Sequence, residues 1–326
     1  VLPQSVEYFR FYFCGAVFTV MYNIFVGILQ AVGDSRHPLY YLIISSVVNV
    51  VLDLVLVGGF HFGVGAAAIA TTISQGISVL LCLIQLIRCR TEYRLQLKAV
   101  RFHWESLKNI IRFGLPSGVQ NSVIAMANLV VQTNINTFGP SAMAGCGSYA
   151  KIEGFAFLPI TCFAQALSTF VGQNLGAKKY DRVKKGVRFG ILCSVSMAEL
   201  IGVVFWMCAP VFIGIFSDSP DVIAFGVRQA RVEALFYCML ALAHCIAGIM
   251  RGAGKATVPM FTMLGFWCVL RVAYITLMLH FYPYIEVVFT AYPLTWGTSC
   301  VVFLLYFFKA DWIHNFERID RQKGGG

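Results

Sequence analysis

Apolar residues along this chain fall in nine long blocks separated by short polar gaps, at about 8–32, 39–59, 64–88, 112–138, 143–172, 187–216, 222–250, 257–281 and 285–308. A run of about 20 apolar residues crosses a bilayer as a helix. Lipid offers the backbone no hydrogen-bond partners, so only helices and closed barrels can span. Barrel strands alternate apolar and polar residues, and these blocks do not. The pattern predicts an all-α, polytopic membrane protein with nine transmembrane helices.

One polar stretch is longer than the rest. Residues 89–111 mix Arg90, Arg94, Lys98, Arg101 and Lys108 with Leu95, Leu97, Val100, Phe102 and Trp104. That mixture predicts a cytoplasmic linker ending in a short interfacial helix. It divides the chain into a partial N-terminal lobe of three helices (1–88), a C-terminal lobe of six (112–309) and a polar cytoplasmic tail (310–326).

Composition sharpens the class. Charged residues make up 12% of the chain and hydrophobic ones 58%, against roughly 25% charged in soluble domains. The mean hydropathy is +0.74. The net charge of +10 would fit a nucleic-acid binder, but its placement argues otherwise. With the 89–111 linker inside the cell and sides alternating from there, most of the 25 Lys and Arg lie inside. The largest inside group after the linker is Lys178, Lys179, Arg182, Lys184, Lys185 and Arg188, whereas the outside connections 139–142 and 217–221 carry none. This is the positive-inside bias of a multi-pass plasma-membrane protein. No basic segment of the signal-peptide kind precedes the first block. The 11 cysteines include no C-x-x-C pair and mostly sit inside apolar blocks, where they read as small packing residues.

The same alternation puts Val1 outside, an unusual start for a complete multi-pass protein of this kind. An internal repeat bears on this. Gly27-Ile28-Leu29-Gln30-Ala31-Val32-Gly33-Asp34 with Pro38 matches Gly248-Ile249-Met250-Arg251-Gly252-Ala253-Gly254-Lys255 with Pro259 at an offset of 221 residues, with Gly27, Ile28, Gly33 and Pro38 identical. Each copy joins two blocks on the inner side. Blocks 1–3 then correspond to blocks 7–9, and blocks 4–6 call for partners upstream: a twelve-helix protein of two parallel six-helix halves, lacking here its first three helices.

Polar residues inside the blocks carry the candidate chemistry. Asn121, Asn128, Gln132 and Asn136 recur with Ala125 on one face of the fourth block. Amides facing lipid are costly, so this face looks onto a cavity or onto another helix. In the fifth block, Glu153 lies about mid-depth near Lys151, with Thr161 and Gln165 continuing its face and Pro159 between. A carboxylate at that depth must be paired, protonated or hydrated. It is a site for a coupling proton or sodium ion, or one half of an ion pair with Arg271 of the eighth block. Glu233, Tyr237 and His244 share a face of the seventh block near Arg228 and Arg231, with the same two readings. Asp53 and Asn49 lie one helical turn apart in the second block, and Glu199 is a further carboxylate with no evident partner. No P-loop, H-E-x-x-H or nucleophile elbow is present, and Gly63-Val64-Gly65 lacks the rest of a dinucleotide fingerprint, so neither an enzyme nor an ATP-driven pump is expected.

Several segments together resemble the multidrug and toxic compound extrusion (MATE) family over essentially the whole chain. Val171-Gly172-Gln173-Asn174-Leu175-Gly176-Ala177 resembles the family's G-Q-N-x-G-A signature after its eighth helix. Gly114-Leu115-Pro116-Ser117-Gly118-Val119-Gln120 is similar to the start of its seventh helix, and Gln30–Asp34 through Pro38 to the turn between its fourth and fifth. Asn49–Asp53 and Gly65–Thr71 resemble its fifth and sixth helices. The resemblance implies two six-helix lobes around a central cleft and export of cationic amphipathic compounds against inward sodium or protons. Relatives often place a coupling acid on the first helix, which is absent here, so the chain alone is not expected to transport. The coupling candidates read from the residues are Glu153, Glu233, Asp53 and Arg271. The cavity candidates read from the polar faces are Gln120, Asn121, Asn128, Gln132, Asn136, Thr161, Gln165, Tyr237 and His244. The expected partners are organic cations and membrane lipids, with a monomeric chain, no cofactor and no bound metal beyond the coupling ion. The alternative within the same architecture is a flippase for a lipid-linked oligosaccharide or peptidoglycan precursor, which asks for a more cationic cavity built from Lys151, Arg231 and Arg271.

Overall fold

A computed structural model describes residues 2–89 and 93–314. Val1, Arg90 and the tail from 315 onward, with Arg318, Arg321 and Lys323, lie outside the described residues. Each of the nine blocks is helical, and among the described residues there is no strand. The helices are α1 (Leu2–Cys14), α2 (Ala16–Ala31), α3 (Arg36–Asp53), α4 (Val64–Arg88), α5 (Trp104–Asn136), α6 (Pro140–Gly176), α7 (Tyr180–Gly214), α8 (Pro220–Glu233), α9 (Tyr237–Gly252), α10 (Thr257–Met263), α11 (Arg271–Phe281) and α12 (Glu286–Lys309).

Seven helical stretches are long and apolar enough to cross a membrane, or eight when α1 and α2 count as one bent span. The ninth expected span, α5, is 33 residues long. Its length suffices; its row of amides keeps it below the same hydropathy standard. The helix also begins at Trp104, so the segment expected to form a separate interfacial helix is the first two turns of α5.

The chain forms two compact units, Val1–Phe102 and His103–Gly326. In the first, Leu29 of α2 packs with Cys82 and Leu86 of α4, bordered by Tyr22, Phe25 and Tyr41. Ser45 Oγ of α3 donates to the Ser74 carbonyl of α4 at 2.7 Å. The first expected span is not straight: α1 and α2 meet at a 47° bend. Gly15 sits at the bend, and a β-carbon there would overlap the Thr72 side chain of α4. The outward faces carry Leu39, Ile43, Val47 and Val50, as contact with lipid requires.

The second unit is built around α9. Leu240, Ala241, Ala243 and residues 245–250 are all buried, so the helix is apolar on every side and lies inside its bundle. It approaches α6 at backbone distance. A β-carbon on Gly248 would overlap the Ala164 carbonyl, and one on Gly252 the Ser168 carbonyl. Gly248-x-x-x-Gly252 is thus a small-residue stripe of the kind that lets helices pack closely in lipid.

The internal repeat is visible in the backbone. At the end of α2, Asp34 N–H donates to the Leu29 carbonyl and Gly33 N–H to the Gln30 carbonyl, with Gly33 at φ +89°. At the end of α9, Lys255 N–H donates to Met250 and Gly254 N–H to Arg251, with Gly254 at φ +75°. Both are Schellman caps, which need a left-handed residue best supplied by glycine. The α6–α7 turn repeats the bonding, from Lys179 N–H to Asn174 and from Lys178 N–H to Leu175, but its left-handed residue is Lys178 at φ +57°. A β-carbon in that conformation costs about 1–2 kcal/mol.

Besides the bend in the first block, three blocks expected as continuous spans are irregular. The second block ends in a π-helical stretch, Leu54–Gly59. A 3-10 turn, Ala234–Phe236, separates α8 from α9. Glu199 of α7 meets this break: its Oε2 accepts the Cys238 backbone N–H at 3.2 Å, which gives this intramembrane carboxylate its partner. Between α10 and α11 the helix widens into a π-helical stretch, Leu264–Leu270. The Leu264–Leu270 stretch supplies Trp267 to the cavity described next, in keeping with the frequent use of π-bulges at functional sites.

Candidate functional site

Within the second unit, α5, α6, α8, α9, α11, α12 and the π-helical stretch surround a cavity of about 380 Å³. α5 contributes Gln120, Asn121, Ile124, Asn128, Val131, Gln132 and Ile135, a single face recurring every three or four residues. α6 contributes Cys146, Ala150, Glu153 and Phe157 with the same periodicity. Gln229 of α8, His244 of α9, Trp267, Arg271 of α11, and Tyr292 and Trp296 of α12 complete the wall.

Arg271 is the most constrained of these. It is only 2% exposed. Its Nη2 donates to Thr295 Oγ1 at 3.1 Å and its Nη1 approaches Asn128 Oδ1 at 3.4 Å. The guanidinium lies over the Tyr292 ring, 4.4 Å from its centroid, and 5.7 Å from that of Trp267. Stacking of this kind suits the flat guanidinium far better than an ammonium. Trp267 is fixed in turn by its Nε1 donating to Ser299 Oγ at 3.0 Å. His244 stands edge-on between Phe157 and Trp267, with ring centroids 5.6 and 5.4 Å away.

The acids sit at two depths. Glu153 lines the cavity directly. Glu233 is fully buried one layer behind it, its Oε1 accepting from Gln229 Nε2 at 2.9 Å. Gln229 itself faces the cavity. Neither carboxylate lies within 4.0 Å of Arg271: the ion pairs among the described residues are His37–Asp34, Arg228–Glu286 and His314–Asp311. The direct Glu153–Arg271 and Glu233–Arg271 pairs weighed from the sequence therefore do not form. Aromatic and amide groups take up the guanidinium instead.

The polarity of this wall is not internally satisfied. Gln120 Oε1, Gln229 Oε1, His244 Nε2 and Arg271 Nε are buried without a protein partner. All four residues border the same cavity. A buried polar group left unpaired costs about 1–3 kcal/mol, so four on one hollow call for water or for the polar groups of a ligand.

Not every sequence candidate reaches this hollow. Asn136 is exposed and accepts from Gln132 Nε2 at 2.9 Å, and it lies outside the lining although its neighbour Ile135 is part of it. Thr161 turns its hydroxyl to the Phe157 and Leu158 carbonyls of its own helix. Gln165 is exposed and outside the lining. These two fall off the Glu153 face because the helical rotation carries residues eight and twelve positions onward progressively round the cylinder. Tyr237 is fully buried and hydrogen-bonds Tyr149 through the two hydroxyls at 2.7 Å, so it belongs to the packing behind the cavity. Lys151 is exposed and lies over the Phe216 ring at 5.1 Å. Arg231 is exposed as well, and Arg228 pairs with Glu286 at 3.4 Å. Asp53 and Asn49 belong to the first unit, where Asp53 Oδ1 and Asn49 Nδ2 are buried without partners. The aromatic part of the wall was not foreseen. Phe157 was accessible to reasoning, one turn from Glu153 on the same face. Trp267, Tyr292 and Trp296 carried no signal among so many apolar neighbours.

The MatE family profile matches residues 1–55 and 116–277. The chain belongs to the MatE family. Both units contribute to that match, and with the apolar helices it makes this a multi-pass membrane protein. Among curated proteins, this MatE chain is 28% identical over 274 residues to the probable multidrug resistance protein YpnP of Bacillus subtilis, covering 82% of the chain and 60% of the relative. It is 26% identical over 320 residues to the probable multidrug resistance protein YoeA of the same organism, covering 94% and 68%. A solved structure described as a crystal structure of MATE in complex with MaL6 superposes with a TM-score of 0.86 at 21% identity, covering 98% of this chain and 70% of that one. The chain thus spans about 60% of the length of YpnP.

Proposed function

We propose that the protein is a secondary active transporter that exports cationic, amphipathic drugs in exchange for sodium ions or protons. The observation carrying this reading is the cavity of the second unit, where unpaired amide, imidazole and guanidinium atoms stand beside four aromatic rings and the carboxylate of Glu153. The rings Phe157, Trp267, Tyr292 and Trp296 offer flat faces to an aromatic drug. A cationic drug is attracted by those faces and by Glu153. The names of the relatives YpnP and YoeA support export of drugs.

In this reading Glu153, with Glu233 behind it, is where the coupling cation binds. The membrane-embedded acid exchanges its cation with the side that supplies it, and drug and cation favour different states of the transporter. Each shifts the equilibrium only by its difference in affinity between those states. Asp53 with Asn49 is a second candidate for the coupling ion. For a lipid pyrophosphate the cavity is poorly charged: of the three bases considered, only Arg271 lines it.

The test is efflux of a cationic aromatic dye from vesicles containing the protein as its host produces it, under an imposed sodium or proton gradient. The expected result is efflux that follows one of the two gradients and stops when that gradient is collapsed. Efflux indifferent to both, or dependent on ATP, would reject the proposal.

A further inference from the structure

A second hollow lies apart from the cavity, where α6 passes into α7 at the strongly basic turn. It is a shallow groove of about 520 Å³ lined by Phe170 of α6 and by Asp181, Arg182, Lys185, Gly186 and Phe189 of α7. On α7, Arg182, Lys185, Gly186 and Phe189 are spaced three and four residues apart and share one face. Val183 and Val187, on another face, are buried and anchor the helix. Gly186 has a steric reason: a β-carbon there would overlap the Phe170 ring, so only a bare backbone lets that ring floor the groove.

The groove is graded from charged to apolar. Arg182 and Lys185 are exposed at its polar end with Asp181 as the one acid of the groove, while Lys178 and Lys179 precede them in the turn and Lys184 and Arg188 are exposed outside the lining. None of these bases is in an ion pair among the described residues. Phe189 stands 70% exposed at the other end. Seven residues of helix separate Arg182 from Phe189, about 10 Å, the distance from a phospholipid phosphate into the start of its acyl chains. The nearby turn also places Lys178 in a left-handed conformation that the two equivalent turns give to glycine.

We propose that this groove holds an anionic phospholipid, its phosphate between Arg182 and Lys185 and an acyl chain along Phe189 and Phe170. The charge excess selects an anionic headgroup. The exposed aromatic end selects a lipid over a free phosphate ion, which has no use for it. The proposal does not depend on what the protein transports.

The experiment is native mass spectrometry of the delipidated protein titrated with phosphatidylglycerol, phosphatidylcholine or inorganic phosphate. Phosphatidylglycerol is expected to be retained over phosphatidylcholine. The double variant Arg182→Gln/Lys185→Gln is expected to lower that retention about tenfold. Lys184→Gln/Arg188→Gln removes the same charge from a face pointing away from the groove and is expected to retain the lipid. Phe189→Ala is expected to weaken the lipid without affecting phosphate. Thermal unfolding of each variant establishes that it is folded. Equal loss in the two double variants would mean diffuse attraction and overturn the site, as would equal retention of phosphatidylcholine. Phosphate binding that persists with no preference for the lipid would overturn it as well.

Discussion

Glu153→Gln is expected to reduce gradient-driven efflux to the background of protein-free vesicles while drug binding survives. The substitution keeps the shape of the side chain and removes only its charge and its capacity to exchange a cation. Glu153 lines the cavity and, among the described residues, forms no ion pair with Arg271 or any other base. An unpartnered carboxylate inside a membrane is costly and needs a proton, a metal ion or water. In the proposed reading, drug binding rests largely on the rings of Phe157, Trp267, Tyr292 and Trp296 and on the amides of α5, all of which remain in the variant. Competition between drug and coupling cation should therefore disappear along with transport. Lys151→Gln is the control: it lies two residues away but is exposed on another face, and it should transport normally. Full efflux by Glu153→Gln would remove this carboxylate from the coupling step.

Gly252→Val is expected to destabilise the second unit by about 3 kcal/mol, near the upper end for overpacked sites. The cause is backbone geometry. A β-carbon on Gly252 would overlap the Ser168 carbonyl, and Gly248 meets Ala164 in the same way. A backbone carbonyl cannot swing aside as a side chain can, so α6 and α9 must separate. That separation disturbs Glu153 and Phe157 on one helix and His244 on the other. Thermal unfolding in detergent measures the loss. The internal repeat supplies the comparison. Gly27 corresponds to Gly248 at the 221-residue offset, yet a β-carbon there would meet nothing within 4 Å. Gly27→Ala should therefore be neutral or slightly stabilising, since alanine favours the helix by about 1 kcal/mol. Equal effects at positions 27 and 252 would refute this account of the packing.

Much of this architecture was legible in the sequence because hydrophobic length speaks directly to membrane crossing. Every apolar block is a helix, and the Gly33 and Gly254 motifs end their helices in the same cap. The interruptions were not legible. The 3-10 turn at Ala234–Phe236 contains no proline or glycine to mark it, and its stabilising partner Glu199 is far away in sequence. The π-helical stretch before Arg271 likewise contains no proline. At the site, the α5 amides declared themselves through periodicity, because polar residues are rare in such a helix. Asn136 had the right spacing but stays outside the lining, which on α5 ends at Ile135, and periodicity alone sets no end. Thr161 and Gln165 show the complementary error, a face extended over too many turns. The partners of Arg271 were out of reach. Charge bookkeeping pointed to an acid, whereas the guanidinium lies on Tyr292 and bonds Thr295.

The central claim is that the amide face of α5 borders a wet hollow that receives the drug. Asn128→Cys, placed in a background from which the 11 native cysteines have been removed, tests it most directly. The account predicts that a charged, water-soluble thiol reagent modifies the new cysteine and that bound drug slows the modification. A cysteine that stays unreactive while the protein is folded, or one that reacts equally fast with saturating drug, would contradict it.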